Sequence, residues 1–358
     1  MTTHRIGVLG GDGIGPEVTA EGVKILRRAA ELFGFGLDLV DYPFGADHCV
    51  KTKELIPDSA FSEIRQLDAV LLGAIGDPRF ETGFLEFGIV GRLRFDLDLY
   101  VNLRPIKLYA EHLCPLKGKK PEHLDIVVVR ENTEDAYRSK PRFENKGTPD
   151  EVAAQEMIYT RKGTERIIRY AYELAAARPR KKLTLVDKAN AVRAHDLYRR
   201  VFDEVGREYP QVQKDNAFVD ACCMWMVRNP EGFDTIVTTN MFGDIITDLG
   251  AVLQGGLGIA AGGNIHPGQV SVFEPIHGSA PKYKGQNKAN PIAAILAGAM
   301  MLDHLGERDA AARIEQVVSD LLASGRIPSL QAGAMRTSEI GDLVAREAAA
   351  ARSVGANP

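Results

Sequence analysis

Short apolar runs alternate with segments of helical period along most of this chain, and that alternation restricts its fold more than any other feature. Residues 6–9 (IGVL), 37–40, 69–72 (AVLL), 126–129 (IVVV), 183–186 and 235–237 read as strands. Between them lie helical segments: one carries Val18, Val23 and Leu26, one falls near 59–66, and one over 160–178 puts Ile167, Tyr170, Ala171 and Leu174 on one face. A further helix over 308–323 groups Ile314, Val317, Val318, Leu321 and Leu322 and stops at Gly325 and Pro328. Such an order predicts an α/β protein with a largely parallel sheet. At 358 residues it suits one large two-lobed domain or two domains. Residues 138–150 are polar, with Pro141, Gly147 and Pro149, and read as a loop or protruding arm; the Ala-rich tail after Arg346 is expected to fray.

Charge and composition remove several function classes. Lys and Arg number 44 against 48 Asp and Glu, a net charge of −4, so there is no basic field for nucleic acid and no basic block for a membrane surface. The apolar run 291–302 is shorter than the roughly 18 residues a membrane span needs. MTTHRIGVLGGDG lacks the features of a secretory signal, so a cytoplasmic location is expected. Cys49, Cys114, Cys222 and Cys223 form no CxxC and read as small hydrophobes in a reducing compartment. The eight histidines show no HxxxH, which gives zinc no support.

Gly10-Gly11-Asp12-Gly13-Ile14-Gly15-Pro16-Glu17 follows a strand and opens a helix, but its spacing fails GxGxxG. It reads equally as a tight turn or a cofactor contact. Gly73-Ala74-Ile75-Gly76-Asp77, Gly255-Gly256-Leu257-Gly258 and Gly262-Gly263-Asn264 leave the same two readings open.

The charged residues say more. Asp244 and Asp248 stand four apart in an apolar helix, hence on one face, where like charges are unfavourable unless a cation joins them. Oxygen donors without nearby His or Cys point to Mg²⁺ or Mn²⁺. Asp220 is a third candidate ligand. Arg94 and Arg104 lie among apolar residues, and Arg130 ends a buried strand, where α/β proteins bind ligands. Several such arginines suit a substrate with more than one carboxylate. Arg92 reads instead as an ion pair with neighbouring acids. Lys188 also follows a strand, and a lysine held beside a cation can serve as a base.

In order along nearly the whole chain, GDGIGPE (11–17), DLYVNLRP (98–105), RENTEDAY (130–137), DKAN (187–190), NMFGDIITD (240–248) and EPIHGSAP (274–281) resemble the β-decarboxylating dehydrogenases. That family comprises isopropylmalate, isocitrate, homoisocitrate and tartrate/D-malate dehydrogenases. The resemblance implies an isopropylmalate-dehydrogenase-like two-lobed fold, not a Rossmann fold. It implies a larger cofactor-binding lobe from 1–99 and 256–358, and a smaller lobe over 100–255 with the dimer interface and the arm. It implies a homodimer with shared active sites, Asp220 serving as the metal ligand given by the other subunit while Asp244 and Asp248 are the chain's own. Arg94, Arg104 and Arg130 match the arginines that hold the malate carboxylates, Lys188 the base and Tyr137 the acid. The expected cofactor contacts are Gly73, Ala74, Ile75, Asn190, Glu274, His277, Gly278, Ser279, Ala280, Lys282, Tyr283 and Asn290.

Within the family, isocitrate members place Ser and Asn just before the first arginine; here those positions hold Gly88 and Val90. Isopropylmalate members carry two leucines over the isopropyl group, whereas Val90 and Gly91 give an apolar, roomier pocket. Tartrate/D-malate members show Trp-Gly-Ser there, and the single tryptophan here is Trp225. The implied substrate is 3-isopropylmalate, with a related 3-substituted malate, homoisocitrate, D-malate or tartrate as alternative. Family habit favours NAD, as does the segment 327–330, but Lys282 and Tyr283 resemble the pair of NADP-dependent isocitrate members. NAD and NADP both stay open, with measurable NADP use expected.

Overall fold

The structure is a computed structural model and describes residues 2–350. Its strands, in chain order, are β1 (Thr3–Gly11), β2 (Gly36–Asp41), β3 (Ala69–Ala74), β4 (Val101–Lys107), β5 (Asp125–Glu131), β6 (Arg142–Glu144), β7 (Val152–Ala154), β8 (Lys182–Asp187), β9 (Gln213–Phe218), β10 (Thr235–Thr238), β11 (Ala261–Ile265) and β12 (Ser271–Pro275). The chain divides into two compact units. Among the described residues, the first holds those up to Leu99, Lys107–Pro121 and those from Ala251 to Ala350; the second holds Tyr100–Ile106 and Glu122–Gly250. The excursion Lys107–Pro121 thus sides with the first unit, although the sequence reading put it in the smaller lobe.

In the first unit the strand order is β2-β1-β3-β12-β11, parallel except for the β11–β12 pair. Every residue of β3 (AVLLGA) is buried, as a parallel strand covered on both faces requires. The helix Gly15–Phe33 buries Val18, Ile25, Leu26 and Ala29, and ends on Gly34 at φ 80. Gly262 and Gly263 belong to buried β11, and a Cβ on Gly263 would meet the Phe273 ring at 2.9 Å. The helix Thr337–Ala350 continues past Arg346, where a frayed end was expected; 351–358 lie outside the described residues.

The second unit orders its strands β4-β5-β10-β8-β9. β5, β10, β8 and β9 run parallel, with Thr238 opposite both Arg130 and Val186 and Asp187 opposite Phe218. The polar β9 (QKDNAF) lies at the edge, where charged side chains discourage pairing with another chain. This register carries Arg130, Lys188, Asp220 and Asn240 to the carboxyl ends of their strands together. Residues 138–150, read as a loop or protruding arm, hold β6, which pairs antiparallel with β7 just beyond that span.

Candidate active site

In the second unit Arg130 is 2% exposed and lies against the start of the helix Asn240–Gln254. Its Nε and Nη2 donate to Oδ1 of Asn240 at 3.1 and 2.7 Å, and its Nη1 donates to Oδ1 of Asp244. Tyr137 donates its hydroxyl to Oδ2 of Asp244 at 2.9 Å and stacks its ring 5.6 Å from the Arg130 guanidinium. Burial, then the Asp244 charge, pushes the Tyr137 phenol up to about 12, which keeps it protonated near neutrality. Asp248 sits one turn beyond Asp244; partial desolvation and the Asp244 charge raise its carboxyl, while Arg104 and Arg130 oppose the shift. Arg104 is buried and donates from Nε to Asn102 Oδ1 at 2.7 Å, its neighbour on the same side of β4.

Lys188 follows β8 and donates from Nζ to Oδ1 of Asp220 at 2.5 Å. That contact is the main reason the Asp220 carboxyl falls below its ordinary range. Among the described residues no three His, Cys, Asp or Glu side chains gather as a metal site. Asp220 is therefore not brought together with Asp244 and Asp248 within one chain. Asn190 lies exposed in the turn after Lys188.

In the first unit the GDGIGPE loop is occupied in holding its neighbours. Asp12 is buried and accepts the Ala46 and Gly76 N–H groups at 2.7 and 3.0 Å. Asp12 N–H donates to Ala74 O, and Ile14 N–H to Ser279 O. A Cβ on Gly13, already at φ 57, would lie 1.9 Å from Ser279 O, and one on Gly73 would lie 2.2 Å from Gly10 O. Close packing between loops accounts for the small size of these glycines. Glu17 accepts the N–H groups of Gly285 and Asn287, which pins the segment that follows Lys282 and Tyr283.

Around these loops Arg94 donates to Glu274 Oε1 at 2.9 Å, and Asn264 donates to the same oxygen at 2.7 Å. Ile75 is half-buried, and Gly278 is exposed with open space around it. Ala280 adopts φ 40, and Lys282 Nζ lies 4.8 Å from the Tyr283 ring centroid. Val90 is half-buried in the wide turn Glu86–Gly91 and packs on the apolar cluster of Leu93, Leu97 and Leu99. Arg94 Nε, His277 Nε2 and Asn290 Nδ2 are among the buried polar side-chain atoms that show no hydrogen-bond partner among the described residues. Burial also lowers the His277 imidazole pKa. Unpaired buried polar atoms are costly, and these fit a polar ligand that supplies their partners. Asp244 and Asp248, hard oxygen donors on one helix face, likewise fit a divalent cation.

Sequence reasoning did not single out Asn102, Asp12, Glu17, Asn240 or Gly243. Asn240 and Gly243 stand inside a motif it quoted, but their work depends on Arg130, far away in the chain.

Buried arginines, a proton-holding phenol and a carboxylate pair define an enzyme site for an anionic small molecule. The sequence profile of the isocitrate/isopropylmalate dehydrogenase family matches residues 5–344, and the chain belongs to that family. It is 50% identical over 350 residues to the 3-isopropylmalate dehydrogenase of Thermobifida fusca, covering 97% of this chain and 98% of the relative. It is 48% identical over 343 residues to the enzyme of that name from Streptomyces griseus, covering 95% and 97%. Among solved structures, an isocitrate dehydrogenase from Methylococcus capsulatus superposes with a TM-score of 0.85 at 36% identity, covering 96% of this chain and 99% of that one. A beta-decarboxylating dehydrogenase from Thermococcus kodakarensis in its apo form gives 0.80 at 33%, covering 98% and 97%.

Proposed function

We propose that the chain catalyses the metal-dependent, NAD(P)-linked oxidative decarboxylation of 3-isopropylmalate to 2-oxoisocaproate, a step of leucine biosynthesis. The observation that carries this reading is the Arg130–Asp244–Tyr137 contact set beside Asp248, taken with the names of relatives that match over nearly their full length.

Asp244 and Asp248 would hold Mg²⁺ or Mn²⁺, which would supply a Lewis acid for the substrate's C2 oxygen, and a bound nicotinamide would supply the acceptor for the C2 hydride. The chain's residues do the rest. Arg94, Arg104 and Arg130 hold the two carboxylates, Arg94 through the edge whose Nε has no protein partner. Lys188 takes the proton of the C2 hydroxyl. With C2 a ketone, the carboxylate on C3 is β to a carbonyl and leaves as CO₂. Tyr137, held protonated, then delivers its proton to C3. Asp244 and Asp248 belong to the chain's own site, and Asp220 to the partner's. Because Lys188 is tied to Asp220, it serves the partner too. A homodimer is therefore the active unit.

The first unit is read as the cofactor lobe, with Gly73, Ala74, Ile75, Glu274, His277, Gly278, Ser279, Ala280 and Asn290 lining the nucleotide; the family resemblance adds Asn190 to the cofactor contacts. Lys282 and Tyr283 present a cation and a phenol to a ribose 2′-phosphate, which supports NADP use beside NAD. Val90 faces the 3-substituent, and its small size favours isopropyl or a bulkier alkyl group. A cytoplasmic location belongs to this reading; among the described residues no helix is long and apolar enough to cross a membrane.

The test is absorbance of reduced nicotinamide with 3-isopropylmalate, isocitrate, homoisocitrate, D-malate and tartrate, each with NAD and NADP. Activity on 3-isopropylmalate that is lost in EDTA and regained with Mg²⁺ or Mn²⁺ is expected. Preference for another acid would replace the substrate, and inactivity on all of them would end the reading.

A further inference from the structure

A line of hydrogen bonds runs through the second unit from Lys188 to the loop before Tyr137, and the roles assigned above leave it unused. The backbone N–H of Lys188 donates to Nδ1 of His195 at 2.9 Å. Nε2 of His195 lies 2.9 Å from the Tyr159 hydroxyl, which donates to Oδ1 of Asp135 at 2.9 Å. The same Oδ1 accepts from the N–H of Ala136, next to Tyr137, at 2.7 Å. Oδ2 accepts from the N–H of Met241 at 3.0 Å, in the first turn of the helix that carries Asp244 and Asp248.

Both ends of this line fix its polarity. A backbone N–H only donates and a carboxylate only accepts. His195 must therefore be neutral with its proton on Nε2, and the Tyr159 proton must point to Asp135. The surroundings agree: His195 is fully buried, and burial lowers its pKa. Asp135 is buried too and sits at φ 72, left-handed backbone that a non-glycine residue adopts at a cost. Its two carboxylate oxygens hold that backbone against the helix and against Tyr159. Buried polar side chains are hard to justify by stability alone, since apolar groups of the same shape fill such space as well or better.

We propose that His195, acting through Tyr159 and Asp135, is a positioning residue that locks Lys188 and the Tyr137–Asp244 pair at a fixed spacing. The inference rests on the proposed division of labour, in which Lys188 serves the partner's site and Tyr137 the chain's own. The line then joins the base of one active site to the acid of the other through a single chain.

The test uses the full-length protein with His195→Phe, His195→Asn and Tyr159→Phe, read by steady-state kinetics and by hydrogen–deuterium exchange without ligands. Tyr159→Phe removes one oxygen and keeps the ring, so it decides the matter where His195→Phe does not fold. Misplacement of reacting groups costs rate, so His195→Phe and Tyr159→Phe should lower kcat about tenfold or more with KM for the malate within about twofold. In both, exchange should rise at 187–192 and at 135–141 together. His195→Asn keeps an acceptor for the Lys188 N–H and should restore protection at 187–192 and part of kcat. Unchanged kcat in Tyr159→Phe, or exchange that rises only beside the substituted residue, would overturn the proposal. A parent protein inert on every malate would instead remove the functional reading, and the exchange data alone would then decide the positioning claim.

Discussion

Gly243 leaves the space that Arg130 fills: a Cβ at 243 would lie 2.4 Å from Cγ of Arg130 and 2.7 Å from its Cβ. Those are stem atoms of a buried side chain, fixed at its far end by Asn240 and Asp244. Gly243→Ala would gain about 1 kcal/mol of helix propensity. The clash outweighs that gain, because Arg130 cannot swing away without losing its partners, and overpacking of this kind costs roughly 1–3 kcal/mol. We expect a lower melting temperature by calorimetry and a fall of at least about tenfold in kcat/KM, as expected when a binding group is displaced.

Tyr137→Phe removes the proton proposed to reach C3 and the hydroxyl bonded to Asp244. Loss of a general acid slows its step by about 10²–10⁴-fold. Substrate affinity should change little, because Arg130 keeps its grip on Asp244. A Tyr137→Phe enzyme with normal turnover in a nicotinamide assay would assign the acid to another group.

Lys188→Ala and Tyr137→Phe should complement each other. Each homodimer lacks one essential group at both sites and should be nearly inactive. Refolding the two variants together creates heterodimers in which one site has both groups and the other has neither. Recovered activity in the mixture, absent from either variant alone, is the expected outcome; an inactive mixture containing verified heterodimers would place both groups in the same chain's site.

Glu131 gives the fold a pH signature of its own. It is 1% exposed, and burial raises its carboxyl to about 7 although Thr133 and Glu134 donate to it. The folded state therefore holds this proton more tightly than the unfolded chain does. Its stabilising contribution is complete below the ordinary value of 4.5 and is lost as pH rises through about 7. Glu131→Gln should flatten the fall of the urea midpoint between pH 5 and 8, and an unchanged slope would mean the carboxylate is ionised throughout.

Lys282→Ala tests the cofactor reading. Removing a cation from a phosphate contact should raise KM for NADP about tenfold and leave KM for NAD within about twofold, as loss of a charge-assisted hydrogen bond predicts. Equal effects on both, or none on either, would show that the 2′ position is read elsewhere.

Much of this was legible beforehand because it is local. Strand and helix periods are written over a few residues, and so is the four-residue spacing that puts Asp244 and Asp248 on one face. Ordered motifs also carried the family resemblance. The glycine loop was less legible, since its spacing is compatible with either a turn or a ligand contact; the close approach of Ser279 and Ala74 comes only from the fold.

Sequence alone determined the α/β class, the acidic pair and Arg130 at a strand end, because backbone geometry dictates which near neighbours share a face. Tertiary structure alone decided that Arg130 reaches Asn240 and Asp244, that Lys188 closes on Asp220 rather than on that pair, and that His195 lies between Lys188 and Tyr159. Apart from Lys188 and His195, these partners stand far apart along the chain, and the parallel register of β5, β10, β8 and β9 brings the strand ends beside Arg130, Asn240, Lys188 and Asp220 together.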